Sequence, residues 1–297
     1  MSKHEFARVH PLTGFLFFLG AIIFAMFYIH PLFLVISCTL SGCCLISIRG
    51  RKALRTIGGL LVLFAIISLA NPLVNPQGET VLFTYMGSRS YTLEAVCYGL
   101  AIAGMFLTVI FWFNAYNDLM SSDKFLYLFS RFIPAVSLLL TMVFRLVPAL
   151  TRKLAQITGA RKCIGKYGQD TSARGRARDG MAVISSLTGW ALEGGIITAD
   201  SMKSRGYGSP SRSSFTIYRM ILRDYVLMGI MLVLAAVVIF CSIRGAAGCS
   251  YIPAVQITGT ENHYLIPGAA AYTLFLMIPT GINLVEAVRW QYLRSGI

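Results

Sequence analysis

Six long stretches of this chain, 12–29, 31–48, 57–74, 93–115, 225–243 and 267–285, contain a single charged side chain among them, Glu94. A helix crosses the hydrocarbon of a bilayer in about 20 mostly apolar residues, so each stretch is long enough to span. With 56% hydrophobic and 13% charged residues and a mean hydropathy of +0.68, the chain is too apolar for a soluble domain of its length. The sequence predicts an all-α fold, a polytopic membrane helical bundle of about six spans.

Two further apolar stretches are interrupted. The first, 133–150, holds Arg145 near its middle with Pro134 and Pro148; the second, 181–197, holds Glu193, Gly189, Gly194 and Gly195. Orientation weighs them. Short loops rich in Lys and Arg stay in the cytoplasm, and Arg49, Arg51, Lys52 and Arg55 between the second and third spans put that loop, and the N-terminus with it, inside. The opposite connections carry little basic charge: His30, Arg89 and Arg244. If both interrupted stretches crossed, Arg152, Lys153, Arg161, Lys162, Lys166, Arg174, Arg176 and Arg178 would be exported against only Asp170 and Asp179. They are therefore expected to lie against the bundle or its inner surface. The chain then divides into four N-terminal spans over 1–116, a cytoplasmic or interfacial helical coupling region over 117–224, and two C-terminal spans over 225–297, with both termini inside. Lys3, His4, Glu5 and Arg8 precede an apolar run longer than a signal core, so the first span is expected to be retained. The net charge of +14 gathers beside apolar runs. It reads as topology, and no nucleic-acid partner is expected.

The basic insert contains two helical pieces that each stop at a glycine. One runs through Leu154, Ile157, Ala160 and Ile164 to Gly165; the other follows Thr198, Asp200 or Ser201 as a cap, runs through Met202 and Arg205, and stops at Gly206, with Gly208 and Pro210 preventing renewal. Pieces this short are unstable alone, so packing must hold them. Two readings of Arg205 stand side by side. A cation in the last turn gains about 0.3 to 1 kcal/mol from the helix dipole without any partner. A guanidinium beside a glycine can also enter a groove on another protein and grip a carboxylate with two hydrogen bonds.

The residues carry a resemblance over nearly the whole length. Asn71-Pro72, Thr92-Leu93-Glu94-Ala95 with Tyr98-Gly99, Phe111-Trp112-Phe113 ahead of Ser121-Ser122-Asp123-Lys124, Arg145-Leu146-Val147-Pro148, and the run from Ala199 to Tyr207 ending Ser-Arg-Gly-Tyr occur in an ordered series. In order and spacing the chain resembles the transmembrane coupling subunit, or T component, of energy-coupling factor (ECF) ABC transporters, of the cobalt and vitamin type. The resemblance implies two short cytoplasmic coupling helices, each ending in an Ala-Arg-Gly type motif that docks into a groove of an ABC-type ATPase. The second motif falls on Ser204, Arg205 and Gly206, with serine in place of alanine. The first falls on Cys163, Ile164 and Gly165, where Ile164 replaces the arginine and implies an apolar contact; Ala160, Arg161 and Lys162 complete that docking segment. The implied partners are two ATPase subunits, a separate substrate-binding membrane subunit and the lipid bilayer, in a bacterial or archaeal cytoplasmic membrane. The chain itself would bind no cofactor, since ATP would be held by the ATPases. Glu94, Arg145, Gly189, Gly194 and Gly195 are the candidates for contact with the bundle or the substrate subunit, the glycines letting 181–197 pack closely and slide. Glu94 and Arg145 also read as a span-end acid and a snorkelling cation.

No catalytic or metal site is expected. The seven cysteines mostly sit in apolar runs, and His4, His10, His30 and His263 lack ligand spacing, which leaves the histidines interfacial structural roles. Gly165-Lys166 resembles the end of a phosphate-binding loop, but Ala160 stands where that loop needs its first glycine and Tyr167 where it needs Ser or Thr. The competing classes are a membrane-embedded enzyme and a channel, with the basic insert binding phosphate or anionic lipid; Asp118, Asp123, Asp170, Asp179 and Asp200 form no Asp-rich motif for the former.

Overall fold

The computed structural model describes residues 6, 9–75, 78, 80–85, 89–130, 133–168, 172–209, 218–251 and 263–295. Lys3, His4, Glu5, Arg8, Asp170 and Pro210 lie outside them. The elements in order are α1 (Pro11–Phe27), α2 (Pro31–Arg49), α3 (Arg51–Val74), β1 (Val81–Tyr85), β2 (Arg89–Thr92), α4 (Leu93–Leu119), α5 (Ser122–Ser130), α6 (Pro134–Cys163), α7 (Ala173–Ser204), α8 (Leu222–Cys241) with a π turn at Ser242–Ala246, and α9 (Leu265–Ser295). The all-α expectation holds. Among the described residues seven helices, α2, α3, α4, α6, α7, α8 and α9, are long and apolar enough to cross a membrane, and α1 is a shorter apolar helix. The protein is thus a multi-pass helical membrane protein, and by length α6 and α7, expected to lie at the surface, join the candidate spans.

Contacts divide the chain into two units, 1–125 with 218–297, and 126–217. The second unit lies inside the insert read from charge, because both flanks of that insert belong to the first unit's core. Leu119 is 5% exposed and Asp224 4%. Asp224 accepts from the backbone N–H of Ile221 at 3.2 Å and of His10 at 3.5 Å, so it caps α8 and fastens the start of α1 to it.

In the first unit α4 is central, packing on α1, α2 and α3. Lipid tails are as apolar as leucine, so close fit holds such helices together where water would otherwise drive them. Gly99 supplies one close fit: a Cβ there would stand 2.8 Å from the Ser68 carbonyl oxygen of α3. Aromatic rings supply another. Phe17 of α1 meets Trp112 of α4 edge-on at 5.6 Å and stacks on Phe275 of α9 at 5.3 Å. At one end of the bundle Arg49, closing α2, forms a two-pronged ion pair with Asp118 near the end of α4, its Nη2 donating at 2.9 Å. Half-exposed pairs of this kind add about 0 to 1 kcal/mol, but they fix the ends of two helices side by side.

Two histidines open helices. His10 and His30 each accept through Nδ1 from the backbone N–H two residues on, Leu12 at 3.2 Å and Leu32 at 3.3 Å, ahead of a proline that needs no donor at that position. That is the structural role expected of them. Burial holds both imidazoles below their ordinary range and so keeps them neutral, as an accepting Nδ1 requires.

An antiparallel hairpin, absent from the sequence reading, precedes α4. Its register pairs Val81 with Thr92, Phe83 with Tyr91, Thr84 with Ser90 and Tyr85 with Arg89. Its composition, Val81-Leu82-Phe83-Thr84-Tyr85, carried the signal. Thr92 then caps α4 by accepting from the Ala95 N–H at 3.4 Å.

Two outcomes test this packing. Gly99→Leu forces α3 from α4 and is expected to lower stability by about 1 to 3 kcal/mol, read as a fall in the melting midpoint of the detergent-purified protein; an unchanged midpoint contradicts the close approach. The two histidines have depressed pKa values, so their contribution is complete above the ordinary imidazole pKa of about 6.5 and is lost as pH falls through the lower folded value. Thermal stability should therefore drop on acidification below that range, and a His10→Asn, His30→Asn double variant should lose that part of the dependence. An equal acid loss in the double variant contradicts the assignment.

Candidate functional site: two glycine-stopped helix ends

The second unit, 126–217, is built on α6 and α7. They run antiparallel. Arg161 late in α6 reaches Asp179 early in α7 at 3.8 Å, the Lys153 ammonium lies 5.6 Å from the centre of the Trp190 ring, and the first half of α6 faces the last half of α7 across a groove. The expectation of two separate short pieces is corrected. Each piece is the last turns of a long helix, of 30 residues in α6 and 32 in α7, so the apolar stretches and the basic ends share one axis. Continuity through Pro148 leaves the helix intact, with the Pro148 carbonyl accepting from Thr151 Oγ1 at 2.9 Å and Arg152 Nε at 3.2 Å.

The two helices end alike. In α6 the Gly165 N–H donates to the Lys162 carbonyl at 3.0 Å and the Lys166 N–H to the Arg161 carbonyl at 2.9 Å; in α7 the Gly206 N–H donates to Lys203 at 3.1 Å and the Tyr207 N–H to Met202 at 3.0 Å. This is the Schellman arrangement twice over, with the glycine in the left-handed region at φ 67° and 80°. Register follows directly. Ile164 (φ −88°, ψ 10°) and Arg205 (φ −84°, ψ 6°) occupy the same cap position, each immediately before its glycine. Both are exposed, Ile164 at 66%.

The neighbouring cations do not supply the charge that Ile164 lacks. Arg161 is turned back into the α6–α7 connection, donating from Nη2 to the Lys166 carbonyl at 3.1 Å as well as facing Asp179, whose Oδ2 accepts from the Gly168 N–H at 2.8 Å. Lys162 lies over the Tyr167 ring, 5.5 Å from its centre. Ala160 is exposed one turn back along α6. At the other end Ser204 closes on itself, its Oγ donating to the Ser201 carbonyl at 3.0 Å.

The ends are also far apart. The first is tied to Asp179, and at 1.5 Å per residue the course of α7 from there to Arg205 covers roughly 40 Å. Between the helices lies an open groove of about 1100 Å³, which gathers Arg145, Gly194, Gly195, Lys203, Arg205 and Tyr207. Four residues singled out in the sequence for two different roles, Arg145, Gly194, Gly195 and Arg205, thus line one surface. Gly189 is not among them.

The structure describes the surroundings of two further sets of candidates. Among the described residues a Cβ at Gly189, Gly194 or Gly195 would meet nothing within 4 Å, and the Lys153–Trp190 and Arg161–Asp179 contacts hold α6 and α7 with the glycine face open. Glu94 turns inward. It is 6% exposed and accepts from the Thr80 backbone N–H at 3.3 Å and from its hydroxyl, which locks the hairpin onto the start of α4. Asp224 was not foreseen, because its distant partner, the His10 N–H, leaves no local sequence signal.

No protein-family model matches this sequence, and no curated protein matches it.

The glycine stops are open to a direct test. Gly206→Val places a branched side chain at φ 80°, which disfavours the turn by about 1 to 2 kcal/mol. Amide exchange at Arg205 and Tyr207 should accelerate in that variant, and exchange at the wild-type rate contradicts the Schellman assignment.

Proposed function

We propose that this chain is the transmembrane coupling subunit of an ECF-type ABC importer, passing the closure of two cytoplasmic ATPases to a separate membrane subunit that binds a vitamin or metal ion. The observation that carries the reading is the pair of like helix ends held at opposite ends of one antiparallel hairpin. Each end exposes the residue before its glycine, and roughly 40 Å of α7 keeps them from serving one small site. Two docking ends on stiff helices suit two partner subunits that approach one another, since a rigid helix carries displacement along its axis. The resemblance of Ser204-Arg205-Gly206 and its flanks to the family's motif supports the same conclusion. On this reading α6 and α7 lie along the inner face of the membrane and do not cross it, so that both termini, the loop of Arg49 to Arg55 and both helix ends face the cytoplasm of a bacterial or archaeal cell, as the charge distribution favours. The chain works without catalysis of its own, with ATP held by the partners.

The groove lends some support to a second reading, binding of phosphate or anionic lipid, because Arg145, Lys203 and Arg205 line it without an acid. The two readings separate on one variant. Arg205→Glu places a carboxylate where a partner carboxylate is expected, and repulsion should abolish ATPase co-purification and ATP-driven uptake. Full co-purification and uptake by that variant contradict the coupling role.

A further inference from the structure

The groove between α6 and α7 combines two chemistries. Leu138, Leu139, Met142 and Leu146 of α6 give it a hydrocarbon wall, while Arg145, Lys203 and Arg205 line it as cations. Glu193 and Asp200, the acids on the same stretch of α7, do not line it. We infer that the groove is a site for an anionic phospholipid, with the phosphate held between Arg145 and Lys203 and an acyl chain laid on the apolar wall of α6. The inference rests on the groove's anion-binding reading and names the anion; it does not depend on what the helix ends engage.

The cations are available. Among the described residues no ion pair engages Arg145, Lys203 or Arg205, whereas Arg161 is taken up by Asp179 and Lys153 by the ring of Trp190. Those two contacts also set the register of the helix pair. Carried along the pair, it puts Arg145 across from the stretch between Gly195 and Thr198, with Lys203 roughly 9 Å farther along the axis at 1.5 Å per residue. Two long, flexible side chains can close that interval onto one phosphate. Space is available too: the groove holds about 1100 Å³, and a Cβ at Gly194 or Gly195 would meet nothing within 4 Å. Complementarity then selects the ligand. A free phosphate would engage the cations and leave the leucine and methionine side chains uncovered. An uncharged lipid would cover that wall and leave three cations without a counter-charge. A phospholipid with net negative charge meets both, and acyl chains are within reach whether the pair spans the bilayer or lies along its surface.

The test uses the full chain alone in phosphatidylcholine nanodiscs, doped either with phosphatidylglycerol carrying a diazirine on its acyl chain or with phosphatidylcholine tagged in the same way. Crosslinked peptides are mapped by mass spectrometry. Peptides from 135–149 and 191–207 should be labelled about tenfold more by the anionic probe, and labelling of helices in the first unit should show no such preference. Arg145→Gln with Lys203→Gln should abolish the preference, and the charge-preserving pair Arg145→Lys with Lys203→Arg should keep it. Equal labelling of the groove by the two probes overturns the inference, as does a preference that survives neutralisation or one that the charge-preserving pair loses. Displacement of the anionic probe by excess inorganic phosphate assigns the site to free phosphate, and no labelling by either probe leaves the groove to a protein; both overturn it. Arg205 is unchanged in these variants and no ATPase is present, so failure here leaves the coupling reading standing, and failure of ATPase co-purification leaves the lipid site standing.

Discussion

A helix that stops leaves its last carbonyls without partners, and how they are satisfied decides what the end can do. In α6 and α7 they are closed by the chain itself, through Gly165 and Gly206 turned into the left-handed region. Because backbone bonds close the turn, the side chain just before each glycine has no capping duty. It stands outward, and Ile164 and Arg205 are free to be chosen for something else. The rest of the candidate site depends on this constraint: the equivalence of the two ends, the exposure of the cap residues, and the sense in which one carries charge and the other does not.

The first unit answers to a different physics. Its cohesion comes from small residues that admit a neighbouring backbone, as Gly99 admits the Ser68 carbonyl, and from aromatic rings meeting across α1, α4 and α9. Its polar groups are spent on fastening: Glu94 to Thr80, Asp224 to His10, Arg49 to Asp118. The second unit does the reverse. Gly189, Gly194 and Gly195 of α7 meet nothing within 4 Å and the groove is open, so the α6–α7 pair leaves surface uncovered along most of its length.

Much of this was legible in the sequence where the cause is local. The glycine stops at Gly165 and Gly206 could be read because a left-handed residue has few candidates, and the apolar helices because an uncharged run admits little else. The continuity of α6 and α7 was harder. Arg145, Pro148 and Glu193 looked like interruptions, yet α6 runs unbroken through Arg145 and Pro148 and α7 through Glu193. What the glycines of α7 face was not legible, since whether a small residue meets a neighbour depends on where the other helix runs. The hairpin of Val81–Tyr85 and Arg89–Thr92 was overlooked beside stronger helical signals, although its residues are typical of strands. Asp224 had no local signature at all.

The central claim is that both tips of the hairpin are presented to the cytoplasm as docking ends. Cys163, exposed beside Ile164, gives a native handle on the first tip, and Arg205→Cys gives one on the second. In a protein whose other cysteines are replaced, each should react with a membrane-impermeant maleimide only from the cytoplasmic side of sealed vesicles, and less when the ATPases are present. Labelling of either tip from the external side would contradict the account.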